Sequence, residues 1–391
     1  MGRPRLVIVT RTFWPLVGAA ATTAARLAIG LMEADWGVTI LTARYHESWP
    51  ARIHFHDAMV RRLGPPHASR WAEWRFQWAL KRWLHRHAED YDLVYVLDLH
   101  QDARTVLRAV GRRCPVVLRA PDALPADDSL QSNRRKEQAA VLARLNPAAV
   151  VCGDPAAEQA LAAAGFSEAC IQRIPNGVRL AAPRTAKSRL EARNLFAEAG
   201  NVLRMPEWAP LAVYLGAMQN DRGLEYLVAA WPPVGLRWPN ARLWLVGDGP
   251  FRDGLRRQIS GLKLSGRAMV LGRFDHVEEL LDAADVLVHP GACQAPSLAV
   301  AEAMGAGLPV IAADSPGHRA LLEHNRTGLL VPPANIEALT EALIHVFDDP
   351  NTADRLGRAA HDYARRRLAL AKMVGKHVIL FQSLLQQSAS R

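Results

Sequence analysis

Short apolar runs recur along the chain, each followed by a stretch with helical spacing, and this alternation restricts the fold more than any other feature. Strands separated by helical crossovers pair in parallel, so the pattern points to layered α/β architecture. Strand-like runs fall at residues 5–10, 38–42, 93–97, 116–119, 149–152 and 171–174. A second series falls at residues 211–215, 242–246, 268–271, 286–289, 310–312 and 329–331. Between them, residues 178–208 change character, with Pro183, Lys187 and Arg189 in a polar stretch ahead of Met205-Pro206-Glu207. This reads as a connection plus a first helix. The expected organisation is two Rossmann-like doubly wound domains, residues 1–178 and 179–368. A closing helix over 369–391 is expected to pack back toward the N-terminal domain. In such sheets ligands bind beyond the carboxyl ends of the strands, so residues in the loops after strands matter most.

Composition narrows the function classes. Half the residues are hydrophobic and 22% are charged, as in packed globular proteins. No run of about 18 uncharged apolar residues exists, so no membrane-spanning helix is expected. The start, MGRPRLVIVT, lacks the order of a secretory signal, and Leu6 breaks a myristoylation pattern. Cys114, Cys152, Cys170 and Cys293 are too few and scattered for a disulfide framework, so reduced thiols in a cytoplasmic protein are expected. The net charge of +10 is spread over both halves, which gives no basic arm for nucleic acid. A diffuse positive field favours anionic partners such as nucleoside diphosphates and anionic lipid surfaces.

The most informative stretch is VLVHPGACQAPSLAVAEAMGAGLPVIAADSPGHRALLEHNRTGLLVPP, residues 286–333. A strand ends at His289-Pro290, a loop carries Gly291, Gln294 and Pro296, and a helix starts at about Ser297. A helix start offers unpaired N–H groups and the positive dipole end, which suits an anion. Glu302 stands in an otherwise apolar helix, where a carboxylate needs hydrogen-bond donors. Ribose hydroxyls are suitable donors; an internal arginine or backbone partner is the structural alternative.

This stretch resembles the signature region of family 4 glycosyltransferases, which have the GT-B fold. The family pattern is Glu, seven residues, Glu, then Ala-Met-Ala-x-Gly-x-Pro-Val; here it reads Gln294-x7-Glu302 followed by AMGAGLPVIA. The first βαβ unit also matches, with Gly18 as the first glycine of a Gly-Gly turn and Ala19 in place of the second. IPNGV (174–178), YLGAMQNDRGLEYLVAAW (214–231), WLVGDGP (244–250), LGRFD (271–275) and ADVLVHP (284–290) follow in the family order.

The resemblance implies two domains facing across a cleft, a nucleotide-sugar donor as substrate, no cofactor and no metal. It implies that Glu302 holds ribose hydroxyls and that Gln294 faces the transferred sugar. Backbone N–H groups around Ala295, Ser297 and Leu298 would face sugar or diphosphate. Arg222 takes the place of the phosphate-binding lysine, and Ala217 replaces an arginine. Arg273 and Phe274 would lie near the base, with Gly247 and Asp248 facing the cleft. The implied reaction is retaining transfer to an acceptor that is a glycan, lipid or small molecule.

Two residues depart from the family pattern. Gln294 orients hydroxyls but carries no charge to stabilise an oxocarbenium-like sugar. Where many members have a histidine, this chain has Pro121; Arg119, Asp122, His100 and Asp102 are its neighbours at strand ends. These departures motivate an alternative, a weakened homologue that binds nucleotide or glycan as an assembly subunit. A GT-B sugar-nucleotide epimerase is a third reading. No nicotinamide-binding glycine fingerprint occurs, and GDGPFRDG does not fit its spacing. Asp90-Tyr91-Asp92 spells a metal-binding Asp-x-Asp but precedes its strand, which makes it a polar lead-in.

Residues 69–87, SRWAEWRFQWALKRWLHRH, carry two apolar stripes. Phe76, Leu80, Trp83 and Leu84 form one; Trp71, Trp74 and Trp78 form the other, beside Arg75 and Arg82. A buried tryptophan cluster with snorkelling arginines is the simpler expectation. Peripheral contact with an anionic membrane is the alternative.

Overall fold

The computed structural model describes residues 2–16, 18–66, 70–99, 101–111, 113–121, 130–182, 184–274 and 277–390, with the backbone alone at 70 and 130–135. His100, Asp122, Asp275, Ser69 and Pro183, named above, lie outside the described residues. The chain divides into two compact units, Met1–Gly177 with Leu370–Arg391, and Val178–Ala369.

The N-terminal unit runs β1 (Arg5–Val9), α1 (Ala19–Glu33), β2 (Gly37–Ala43), β3 (Arg52–Phe55), β4 (Ala58–Leu63), α2 (Arg70–Arg86), β5 (Leu93–Val96) and α3 (Gln101–Val110). It continues with β6 (Val116–Arg119), α4 (Leu130–Arg144), β7 (Ala149–Cys152), α5 (Pro155–Ala163) and β8 (Ile171–Arg173). Its sheet has the order β3-β4-β2-β1-β5-β6-β7-β8. All neighbours are parallel except the β3–β4 hairpin. That hairpin was absent from the sequence-based expectation, because RIHFHDAMVRRL mixes polar and apolar residues without a long apolar run. Elsewhere local chemistry is plain: Asp154 caps α5 by accepting from the N–H groups of Ala156 and Ala157 at 2.9 and 3.0 Å, with Pro155 in the first turn.

The C-terminal unit runs α6 (Ala186–Ala199), β9 (Leu211–Leu215), α7 (Leu224–Arg237), β10 (Arg242–Val246), α8 (Arg252–Gly261), β11 (Ala268–Leu271) and α9 (Val277–Ala283). It continues with β12 (Val286–His289), α10 (Leu298–Gly305), β13 (Val310–Ala313), α11 (Pro316–Arg319), β14 (Leu329–Val331), α12 (Ile336–Asp348) and α13 (Pro350–Arg367). All six strands are parallel, in the order β11-β10-β9-β12-β13-β14. The direction of winding reverses between β9 and β12, which opens a crevice at their carboxyl ends. The 178–208 stretch is not a free connection. Arg193, on α6, donates to the carbonyls of Ala283, Glu207 and Ala209 and pairs with Asp285 at 2.8 Å. These bonds staple α6 to the C-terminal sheet.

After the C-terminal unit the chain returns as α14 (Leu370–Ala389), which packs into the N-terminal unit. Phe381 is fully buried, edge-on to Trp36 and Tyr95 with ring centroids 5.8 and 5.5 Å apart. His377 accepts from the Tyr95 hydroxyl at 3.1 Å and donates from Nδ1 to the Met373 carbonyl at 2.8 Å. Its pKa is pushed down to about 3 by burial, with the Arg119 charge adding to the effect.

Phe381→Ala should destabilise the N-terminal unit by about 3–5 kcal/mol, through lost transfer energy and a cavity. Chemical denaturation followed by tryptophan fluorescence measures it. The buried imidazole also sets a pH trend. Unfolded histidine titrates near 6.5, so below that pH the unfolded chain gains a proton that folded His377 refuses. Its contribution is present above pH 6.5 and is lost as pH falls toward 3, at about 1.4 kcal/mol per pH unit. His377→Phe should flatten that part of the stability profile; an unchanged slope counts against it.

Candidate functional site

The carboxyl ends of β9, β10, β12 and β13 converge through backbone contacts that only glycine permits. An added Cβ on Gly291, after β12, would lie 2.5 Å from the Arg222 carbonyl carbon. One on Gly223 would lie 2.9 Å from the Pro290 oxygen, and Gly223 has φ 65°, which L side chains rarely adopt. Arg222 and the loop leading to α10 are therefore in direct backbone contact at the β9–β12 crevice.

On one side, the β10 loop docks on the β9 loop. The Met218 N–H donates to the Asp248 carbonyl at 2.9 Å, and a Cβ on Gly247 would overlap the Gly216 oxygen at 1.8 Å. Asp248 is exposed and brings in Arg273 at 3.7 Å and Arg252 at 3.8 Å. On the other side, the Gly317 N–H donates to the Cys293 carbonyl at 2.9 Å, tying the β13 loop to the β12 loop.

Arg222 is part-exposed, with Asp221 3.4 Å from Nε and Gln219 3.4 Å from Nη2. Its charge contributes to lowering the pKa of His289, so it stands near that ring. Gln294 is exposed in the loop, and Ala295, Ser297, Leu298 and Glu302 are half-buried. Ser297 caps α10, its hydroxyl accepting from the Val300 N–H at 3.5 Å. Glu302 follows within the same short helix.

Behind this helix start lies a histidine pair that sequence reasoning missed. The β12–β13 register sets His289 level with Ala312, so the strand ends are adjacent. His318 Nδ1 donates to the Ala313 carbonyl at 2.6 Å, beside Ser315 Oγ at 3.0 Å. Its Nε2 then accepts from His289 Nδ1 at 2.9 Å, and His289 Nε2 accepts from the Ser297 hydroxyl at 3.3 Å. Burial, the neighbouring ring and Arg222 push the His289 pKa down to about 3, and burial lowers that of His318. Both rings stay neutral near pH 7 and hold the Ser297 hydroxyl in one direction. His289 was visible only as a strand end; nothing local in the sequence pairs it with His318.

The remaining expected residues belong to the N-terminal unit or also make packing contacts within this one. Gly18 is exposed at the start of α1, in the other unit. Phe274 packs its ring on Phe196 at 5.5 Å, within the core edge. Asp102, considered near Pro121, is buried and bonded to Arg11 at 2.6 Å. Asp92 and Asp90 are held by Arg5 and His87, at 2.9 and 2.7 Å, in keeping with a polar lead-in to β5. A groove of about 900 Å³ lies at the amino end of the C-terminal sheet. It is lined by Arg184, Arg189 and Asp285, whose ion pairs bind α6 to the sheet, and lies away from the strand ends just described.

Two family descriptions match this chain. Residues 20–182 match Glycosyltransferase Family 4, and residues 209–349 match Glycosyl transferases group 1. The chain belongs to the family 4 glycosyltransferases. Solved structures agree on the GT-B fold. A sucrose-phosphate synthase from Thermosynechococcus elongatus superposes with a TM-score of 0.81 at 23% identity, covering 98% of this chain and 100% of that one. Anabaena HepE in complex with UDP and glucose gives 0.75 at 18% identity, covering 97% and 99%. An alpha-D-kanosaminyltransferase from Streptomyces kanamyceticus is 26% identical over 153 residues, 39% of this chain and 40% of that protein. A glycogen synthase from Mycobacterium tuberculosis is 29% identical over 160 residues, 40% of this chain and 39% of that protein. The matches thus span about two fifths of these curated relatives.

Gly247→Ala should destabilise the C-terminal unit by about 2 kcal/mol or more, since both its φ of 143° and the Gly216 carbonyl oppose a side chain. The shift of the denaturation midpoint measures it.

Proposed function

We propose that this protein is a retaining, metal-independent glycosyltransferase that moves a sugar from a nucleotide-sugar donor to an acceptor hydroxyl, as a cytoplasmic enzyme. One observation carries the reading: a cationic side chain, Arg222, and the start of α10 share the winding-reversal crevice of the C-terminal sheet. A diphosphate suits that arrangement, because a guanidinium forks onto phosphate oxygens and helix N–H groups add further donors. The UDP carried by Anabaena HepE is the same chemistry in a protein of this fold.

In this reading Glu302 accepts from the ribose hydroxyls, and Asp248, Arg273 and Phe274 border the base. Gln294, with the N–H groups of Ala295, Ser297 and Leu298, orients the sugar. Gly18 belongs to the acceptor side. The bond from the anomeric carbon to the diphosphate oxygen breaks, and the acceptor oxygen bonds to the same face. The hydroxyl proton passes to the departing phosphate oxygen. The protein's work is then orientation and stabilisation of growing negative charge on the diphosphate. Gln294 supplies hydrogen bonds without charge, so Arg222 and the α10 amides carry the larger share.

A thermal-shift panel of UDP, GDP, ADP and their sugars tests donor binding, since a ligand of the folded state raises the melting temperature. No shift with any of them would remove the proposal. Glu302→Ala should weaken the nucleotide that binds by about 1–3 kcal/mol in calorimetry, the range for a lost charged hydrogen bond. Arg222→Ala should weaken the nucleoside diphosphate and leave the nucleoside unaffected. Equal wild-type affinity for both would contradict a phosphate role. Gln294→Glu should raise turnover if charge is the missing element; a fall would mark a site adapted to the amide.

A further inference from the structure

The two apolar stripes of α2 have different fates. Phe76, Leu80 and Leu84 are buried in the N-terminal core, with Trp83 at its edge. Trp71, Trp74 and Trp78 are 64%, 63% and 52% exposed, so they form no buried cluster. Between residues 71 and 86 the other exposed positions are Arg75, Lys81, Arg82, His85 and Arg86. Among the described side chains of this helix, the exposed positions are thus all tryptophan or basic. Solvent faces of ordinary helices mix both charge signs and seldom present three large aromatics in one row.

The one acidic residue of α2 is withdrawn from that face. Glu73 accepts from Arg11 Nη1 at 2.7 Å and also from Nη2. The same guanidinium donates from Nε to Asp102, on α3, at 2.6 Å. Gln77 reaches Asp102 as well. These bonds fix α2 to the loop after β1 and to α3, so the exposed face is presented by a rigid support and little ordering remains to be done on docking.

We propose that α2 seats this protein on an anionic phospholipid surface. Indole rings favour the carbonyl layer of a bilayer, and guanidinium groups favour the phosphates just above it. Arg75 lies over the Trp71 ring at 4.9 Å, and Arg82 over Trp78 at 5.0 Å. Each pair places a phosphate-binding cation beside a ring suited to the layer beneath. The basic residues toward the end of α2 add attraction to negative headgroups. A second copy of the chain is a poorer occupant. A two-fold contact through this face would bring two like-charged stripes together with no carboxylate between them. The inference goes beyond sugar transfer, and its test needs no turnover.

Flotation of the full chain with vesicles is the experiment. Wild type should float at low salt with phosphatidylglycerol and phosphatidylcholine in equal parts, and lose that association with phosphatidylcholine alone or at high salt. The combined variant Trp71→Ser, Trp74→Ser, Trp78→Ser should bind on the order of tenfold more weakly while keeping the wild-type melting curve. Arg75→Glu with Arg82→Glu should also weaken binding and reduce its salt dependence. If the tryptophan variant does not fold, the charge variant decides. The proposal fails if wild type stays in solution with anionic vesicles, if neutral vesicles bind it equally, or if the folded variants float as wild type does. It also fails if wild type is a dimer that the tryptophan substitutions convert to monomers.

Discussion

The backbone of Gly291 lies against that of Arg222 with no room for a single carbon between them. What the C-terminal unit offers a ligand follows from this approach. It sets the cation beside the loop that leads into α10, at the point where the sheet reverses its winding. It also fixes the tips of two neighbouring strands, so the crevice is built from main chain and does not depend on flexible side chains for its shape. The Gly247–Gly216 contact does the same on the next loop. Charge and helix amides are therefore assembled before a ligand arrives, which is the condition for strong electrostatic stabilisation.

The histidine pair completes this picture from behind. His289 and His318 are almost inaccessible and share one hydrogen bond. A protonated His289 ring would sit beside Arg222. Burial and that neighbour hold down its pKa, burial holds down that of His318 against the pull of Asp314, and neutrality gives the chain of hydrogen bonds a single direction, from Ser297 through to the Ala313 carbonyl. The cap of α10 is thereby tied to the carboxyl end of β13.

Much of this was legible in the residues. Every strand of the C-terminal sheet shows as an apolar run, because a parallel strand covered on both faces leaves few polar positions. The loops after those strands were equally plain; they hold Arg222 and Gln294, and Glu302 follows in α10. The β3–β4 hairpin was not, since it is short, half-exposed and lies at a sheet edge. The histidine pair was not, because two residues 29 apart meet only when adjacent strands are in register. The burial expected for the tryptophans was overturned for a related reason. Helical spacing separates two faces, but the one that packs meets core residues far away in sequence. Phe274, expected near the base, also turns one side of its ring to Phe196, a contact that no local pattern announces.

The route of α14 has a consequence for how the molecule is made. The C-terminal unit is an insertion in the N-terminal one, entered at Val178 and left at Ala369, which are joined to each other by a β-bridge. In chain order the inserted unit ends before the helix that covers Trp36 and Tyr95. The host thus needs the last element, although most of it is translated first. A chain cut short at Ala369 would keep every element of one unit and leave the other with an open hydrophobic flank, the kind of surface that makes incomplete folds prone to aggregate.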